Sequence, residues 1–377
     1  MSKILIIYKF LPQYRKEFFN LLKIELAKHK IDLELIYGKN INTDALKRDE
    51  VDIYWAKFIP NRTFKIGNLE LIWQPCLRHL KEIDLVIVQP ESKLILTYYL
   101  AFTRFFYKYK LGFWGHGRNM QADINSLRNR FQLIFLKKCD HWFTYTNRGK
   151  KYLLENNYPE NSITVTNNTI DTVSLMKYYS EINDNELTEL KNLLGFNGSK
   201  TGIYCGSMYP NKRLDFIIEV CYRVRNEIPD FQMIFIGSGI DSYKVKEASD
   251  TNEWIRYVGP IFGIDRIKYF KISSIQLMPD FVGLSILDSF AMETPIVTTN
   301  TPIHGPEIEY LENGINSIIT NGNLDDYSNS VIEVLKTEYY LELIKGCKLS
   351  AEKYTIEKMV ENFKNGILSV LNNEKSK

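Results

Sequence analysis

The feature that most constrains this chain is a rhythm that stops once and starts again. Residues 3–8, 32–37, 84–89, 111–116, 141–146 and 162–168 are short apolar runs bounded by turn residues. Between several of them lie amphipathic stretches at 14–29, 91–107, 125–138 and 147–156. Short, nearly continuous apolar runs read as parallel strands buried on both faces, and the longer periodic stretches as crossover helices. Residues 172–199 break the pattern. They are polar, with a helical stretch closed by Gly195, and read as a linker region. The alternation then resumes with strands at 201–207, 231–239, 253–259, 274–280, 295–300 and 316–320. Helices are expected between them at 212–226, 241–249, 264–271, 284–293, 305–312 and 325–336.

A chain of 377 residues is too long for one ordinary core. The expected fold class is therefore α/β, with two Rossmann-like domains facing a cleft. The expected domains are 1–175, 176–355, and a terminal helix and tail at 356–377 that packs back toward the first. No internal repeat of 20–50 residues competes with this reading.

Several function classes fall away on composition. Five scattered cysteines, without a CxxC pair, read as structural thiols in a reducing compartment, not as a zinc site or a disulfide framework. The opening apolar run is short and interrupted by Lys9, and no run of about 18 apolar residues follows. A cytoplasmic protein is expected. Charge is distributed unevenly. Residues 1–180 hold 28 Lys and Arg against 17 Asp and Glu, while the remainder hold 20 against 28. Residues 94–151 alone carry 11 basic and 2 acidic side chains. Such a face suits an anionic partner, or is simply well solvated.

Ligands of open α/β sheets bind at the carboxyl ends of strands, and unusual residues gather there. Gly206 ends one strand and Lys212 opens the next helix. A lysine disfavours a helix N-terminus unless it meets an anion. Its alternative is an ordinary surface lysine. Gly237 and Gly239 follow another strand, but the third glycine of a dinucleotide fingerprint is missing, which argues against a nicotinamide enzyme. In PDFVGLSILDSF, residues 279–290, Asp280 falls in the turn and a helix is expected from about Gly283. Asp280 then stands at the helix mouth, Asp288 projects from the helix, and the amides near Leu284 are open to phosphate. The alternative is that Asp280 only caps the helix. His116 lies between two glycines, Asn168 and Asp171 follow a strand, and Glu307 sits at a further helix mouth.

Together these stretches resemble the retaining glycosyltransferases of family 4, which have the GT-B fold. The resemblance covers nearly the whole chain and is strongest over 200–320. Its most specific part is a Glu-x7-Glu motif enclosing Gly-Leu; here Asp280, Gly283, Leu284 and Asp288 take those positions, and PIVTT follows in register. TVTNNTID, WGHG and GSMYPNKRLD match further family segments. The resemblance implies a nucleotide-sugar donor, with Asp288 on the ribose and Asp280 on the sugar. Lys212 and the amides around Gly283 and Leu284 would hold the diphosphate, Gly206 and Arg213 would also bind the donor, Val258 would border the base, and Glu307 would lie near the donor. His116 would reach the reacting sugar, which makes Asp280, His116 and Lys212 the expected catalytic residues. Tyr14 and Arg15 are expected on the acceptor side, the alternative being ordinary packing at the start of a helix. No cofactor or metal is expected, since no DxD follows a strand. The expected partners are the donor, a glycan or lipid-diphosphate-linked acceptor, and an anionic membrane face, with no nucleic acid. The chain departs from the pattern in its two aspartates, in Ser207 where an arginine is usual, and in FLPQYRKEFF where a glycine-rich loop is usual. A non-catalytic partner of the same fold and a sugar-nucleotide epimerase remain the competing readings.

Overall fold

The computed structural model describes residues 1–39, 51–67, 69–117 and 135–372. Most of the helix expected at 125–138 lies outside them. The chain divides into two units: Met1–Ile170 joined by the segment from Ile356, and Asp171–Thr355.

The first unit holds a seven-stranded sheet. Its strands are β1 (Ser2–Tyr8), β2 (Ile31–Tyr37), β3 (Lys57–Phe58), β6 (Leu85–Val88), β7 (Lys110–Gly115), β8 (His141–Thr144) and β9 (Ile163–Val165). A hairpin of β4 (Arg62–Ile66) and β5 (Leu69–Trp73) stands apart from it and is antiparallel. The sheet order is β3-β2-β1-β6-β7-β8-β9, and every pairing is parallel. Burial on both faces explains why β1 is apolar from Ile4 to Tyr8. Ile4, Ile6 and Tyr8 enter the core on one face, while Leu5 and Ile7 enter the core on the other.

The helix Ile356–Asn372 completes the first of these cores. Ile356, Met359, Val360, Phe363, Ile367 and Val370 are buried at three- and four-residue spacing, a single helical face. Phe363 stacks on Phe143, with ring centroids 4.5 Å apart, and lies edge-on to Trp114 at 4.9 Å. These contacts assign the helix Ile356–Asn372 to the first unit.

The second unit holds a six-stranded parallel sheet of β10 (Lys200–Cys205), β11 (Phe231–Ile236), β12 (Ile255–Tyr257), β13 (Ile275–Leu277), β14 (Ile296–Thr299) and β15 (Ser317–Thr320). Its order is β12-β11-β10-β13-β14-β15. The strand after β10 lies on one side of it, and β13 lies on the other. The carboxyl ends of β10 and β13 therefore flank the topological switch point, where sheets of this kind bind ligands.

Residues 172–199, expected as a linker region with one helix closed by Gly195, form that helix and a second one before it, both in the second unit. Asp171 accepts from the Ser174 amide at 3.0 Å and caps the helix Thr172–Glu181. Asn183 and Glu186 form a reciprocal capping box on the helix Asp184–Leu194, which Gly195 closes in the left-handed conformation. Leu190 and Leu194 enter the core beside Ile203, Ile234 and Phe270. The helix expected over 305–312 is a short 3-10 turn, Pro306–Tyr310.

Candidate active site

The loop after β10 is shaped by its neighbour rather than by its own sequence. The Gly206 amide donates to Ile236 O at 3.0 Å and the Met208 amide to Ser238 O at 2.9 Å, extending the β10–β11 ladder past the strands. Gly237 has φ +141°, and a β-carbon there would stand 1.8 Å from Gly206 O; one on Gly239 would stand 2.2 Å from Met208 O. The GxG pair is thus a close-packing device that fixes the loop bearing Gly206, with no dinucleotide role required.

That loop leads into the turn Pro210–Lys212 and the helix Leu214–Glu227. Arg213 has φ +52°, a left-handed residue between two helical segments. The kink sends Lys212 and Arg213 to two adjacent points after β13. Lys212 Nζ donates to Phe281 O at 2.7 Å, and Arg213 donates to Asp280 Oδ2 at 3.1 Å. The Arg213 guanidinium also lies 3.9 Å over the Phe216 ring.

Asp280 is buried and almost fully engaged. Its Oδ1 accepts from Thr301 Oγ1 at 2.7 Å and from Thr299 Oγ1 at 3.0 Å. A buried carboxylate needs such donors, and three on one group hold it in a single orientation. Behind it, His304 Nδ1 accepts from the Val282 amide at 3.2 Å while Nε2 lies 2.8 Å from Thr299 O, which assigns the proton to Nε2. The Gly305 amide donates to Val282 O at 2.7 Å. The loop after β14 is thereby laced to the turn after β13. Glu307 follows on this loop and is buried, and a β-carbon on Gly283 would stand 3.9 Å from its Oε2.

The helix after this turn runs Ser285–Ala291 and so begins two residues later than expected. Gly283 O and Leu284 O accept the first bonds of this turn, from the Ile286 and Leu287 amides at 3.1 and 2.9 Å, while amides at such a start have no partner within the helix. Ser285 Oγ is buried and has no hydrogen-bond partner. Asp288 lies on this helix, and both its oxygens accept from Arg266, at 2.6 and 2.8 Å. Val258 is half-buried against the core beside Ile203 and Ile234, and its amide donates to Phe235 O at 3.1 Å.

Gly206, Lys212, Arg213, Asp280, Gly283, Leu284 and Glu307 therefore gather at the switch point of the second sheet. Arg266, His304 and the Thr299–Thr301 pair were not singled out from sequence. Thr299 and Thr301 stand at a strand end, where the strand-end rule reaches them. Arg266 lies 22 residues from Asp288 on another element, and no spacing signal joins the two.

The remaining candidates belong to the first unit. His116 follows β7 and is exposed, with its ring edge-on to Tyr145 at 4.7 Å. Gly117 has φ +73°, and a β-carbon there would meet Gly149 O at 3.0 Å, so the loop needs glycine at this close approach. The protein packed around the imidazole disfavours its charged form, and the Arg15 guanidinium adds to this; together they lower the His116 pKa to about 4.

Arg15 departs from expectation. It is fully buried rather than turned toward an acceptor. Its guanidinium donates to Asn168 Oδ1 and lies 4.9 Å over Tyr14 and 5.0 Å over Trp114. Such a cation is held by ring faces and a carbonyl oxygen, which serves packing of the unit. Tyr14 retains an exposed edge.

Among the described residues no group of three His, Cys, Asp or Glu side chains stands ready to hold a metal ion. All five cysteines are unpaired thiols.

Residues 199–337 match the family model described as Glycosyl transferases group 1. An uncharacterized glycosyltransferase of Haemophilus influenzae is 24% identical over 297 residues, 76% of this chain and 77% of that one. The Anabaena protein HepE, solved in complex with UDP, shares 12% identity at a TM-score of 0.71, covering 98% of this chain and all of that one. A UDP-GlcNAc 2-epimerase of Methanocaldococcus jannaschii shares 18% identity at a TM-score of 0.58, over 89% of this chain and 92% of that one. The fold is that of the GT-B glycosyltransferases, with two Rossmann-like α/β units, and the family match supports a glycosyltransferase.

Proposed function

We propose that this protein is a retaining glycosyltransferase of family 4. It would move a hexose from a nucleotide-diphosphate sugar to a glycan or lipid-diphosphate-linked acceptor in the assembly of a bacterial surface polysaccharide. The observation that carries this reading is the pairing of Lys212 and Arg213 with the turn at Asp280 and Phe281, at the switch point of the second sheet. Support for the donor class comes from the family match over this same segment and from the UDP bound by a structural neighbour.

The chemistry follows from charge. As the bond from the anomeric carbon to the diphosphate oxygen breaks, the leaving group gains negative charge. In this reading Lys212 leaves the Phe281 carbonyl to meet that charge, together with Arg213 and the outward amides of Gly283 and Leu284. Asp280, fixed by two threonines, accepts from the hydroxyls of the donor sugar. The acceptor's oxygen attacks the same face that the diphosphate leaves, and its proton passes to the departing phosphate oxygen. No separate base is then needed, nor a metal to carry the charge. Asp288 keeps two lone-pair positions after its bidentate bond to Arg266, enough for the ribose hydroxyls. His116 and Tyr14 are assigned their places at the donor sugar and the acceptor by the family resemblance alone.

Incubation with UDP-, GDP- and ADP-sugars tests the reading. Wild type should bind and slowly hydrolyse one of them, and Lys212→Ala and Asp280→Ala should each lose at least about a hundredfold in rate while still folding. Full activity in both variants, or binding to none of the sugars, would sink it. Conversion of a donor to its epimer without any acceptor would favour the epimerase instead.

A further inference from the structure

The helix Ile95–Tyr107 of the first unit has a buried face and an unusual exposed one. Leu96, Thr97, Leu100 and Ala101 are buried against the sheet. On the outside stand Phe102, Phe105 and Phe106, which are 57%, 75% and 84% exposed. Spacings of three and four place these rings on one helical surface. A surface helix ordinarily presents charged groups there. A cluster of large apolar side chains in water instead marks an interaction site.

The surroundings select the partner. Lys108 closes the helix and is exposed. The neighbouring turn carries exposed Lys137 and Lys138, and it is fixed to the helix by Phe135 against Tyr98, 4.4 Å between centroids, and by Arg104 with Asp140. Asp140 is the one acid among the described residues of 94–151, and Arg104 already neutralises it. Apolar rings bordered by lysines that pair with no acid among the described residues fit the boundary between acyl chains and anionic headgroups. A second copy of the chain would set lysines against lysines. A nucleic acid would meet the lysines and leave the phenylalanines in water.

We propose that this face docks the protein on an anionic lipid bilayer, with Phe102, Phe105 and Phe106 entering the headgroup boundary and Lys108, Lys137 and Lys138 meeting lipid phosphates. This holds whether or not the chain transfers sugar.

Cosedimentation of the full chain with vesicles tests it, using phosphatidylcholine alone and phosphatidylcholine mixed with phosphatidylglycerol. Wild type should bind the mixed vesicles, less so as salt is raised. Phe105→Ser/Phe106→Ser should lose roughly tenfold or more in partitioning, and Lys137→Glu/Lys138→Glu should lose the preference for anionic lipid. Both variants should keep the wild-type thermal midpoint. Absence of wild-type binding to the mixed vesicles overturns the proposal, and so does undiminished binding by the phenylalanine variant. A wild-type dimer that the phenylalanine variant turns into a monomer in light scattering also overturns it, since the face would then serve self-association.

Discussion

Arg266 and Asp288 face each other as a two-point pair, each guanidinium nitrogen bonded to its own carboxylate oxygen at 2.8 and 2.6 Å. Both groups are largely withdrawn from water. Removing only one partner leaves the other charge buried and uncompensated. Arg266→Met should therefore destabilise the protein by roughly 3 kcal/mol, read as a lower denaturant midpoint. Asp288→Asn should cost no less. The double variant should be more stable than the sum of the two losses implies, and unchanged additivity would show that the pair is not coupled.

The fold was largely legible because buried parallel strands are apolar on both faces. Ile4 to Tyr8 and Phe231 to Ile236 announce themselves by composition alone. The hairpin Arg62–Trp73 was invisible because its strands mix charged and apolar residues outside both main sheets. The helix Thr172–Glu181 reads as linker in sequence because Thr172 is its one buried side chain. At the site, residues at strand ends could be singled out by rule, as Asp280 and Lys212 were. Their partners could not, because Arg213 reaches Asp280 only through a left-handed kink and Arg266 reaches Asp288 only through tertiary packing.

Gly237 carries a conformational demand that no other residue meets. Its φ of +141° and the 1.8 Å separation expected between a β-carbon and Gly206 O leave no room for a methyl group. Gly237→Ala should cost roughly 2–3 kcal/mol through strain and a displaced loop. Because that loop leads to Lys212, donor affinity should fall as well. Calorimetric titration with the preferred nucleotide sugar checks this, and Ser238→Ala, which makes no such demand, is the control.

Acid should weaken the first unit through a histidine. His141 is buried beside Thr164, with Nε2 and Oγ1 2.8 Å apart, and burial lowers its pKa from 6.5 to about 4. The unfolded chain then binds a proton at a higher pH than the folded one does. Stability is retained above about pH 6.5 and is lost as pH falls toward 4, by up to ~3 kcal/mol. His141→Gln should flatten stability against pH across that window, relative to wild type. Parallel curves for the two proteins would remove His141 as the cause.

Thr301 offers a test of whether orientation of Asp280, and not merely its charge, matters. Its hydroxyl donates to Asp280 Oδ1 at 2.7 Å, and Thr299 donates to the same oxygen at 3.0 Å. Arg213 holds the other oxygen. Thr301→Val keeps the shape of the side chain but removes one donor, so the carboxylate gains freedom to turn. The stability cost should be small, about 1 kcal/mol, because two donors remain. If Asp280 must present one fixed face to a donor sugar, kcat should drop roughly tenfold while KM changes little, the mark of an interaction made mainly in the transition state. A rise in KM at constant kcat would instead make Asp280 a simple binding group. A variant with unaltered kinetics would show that Thr299 and Arg213 fix the carboxylate without help.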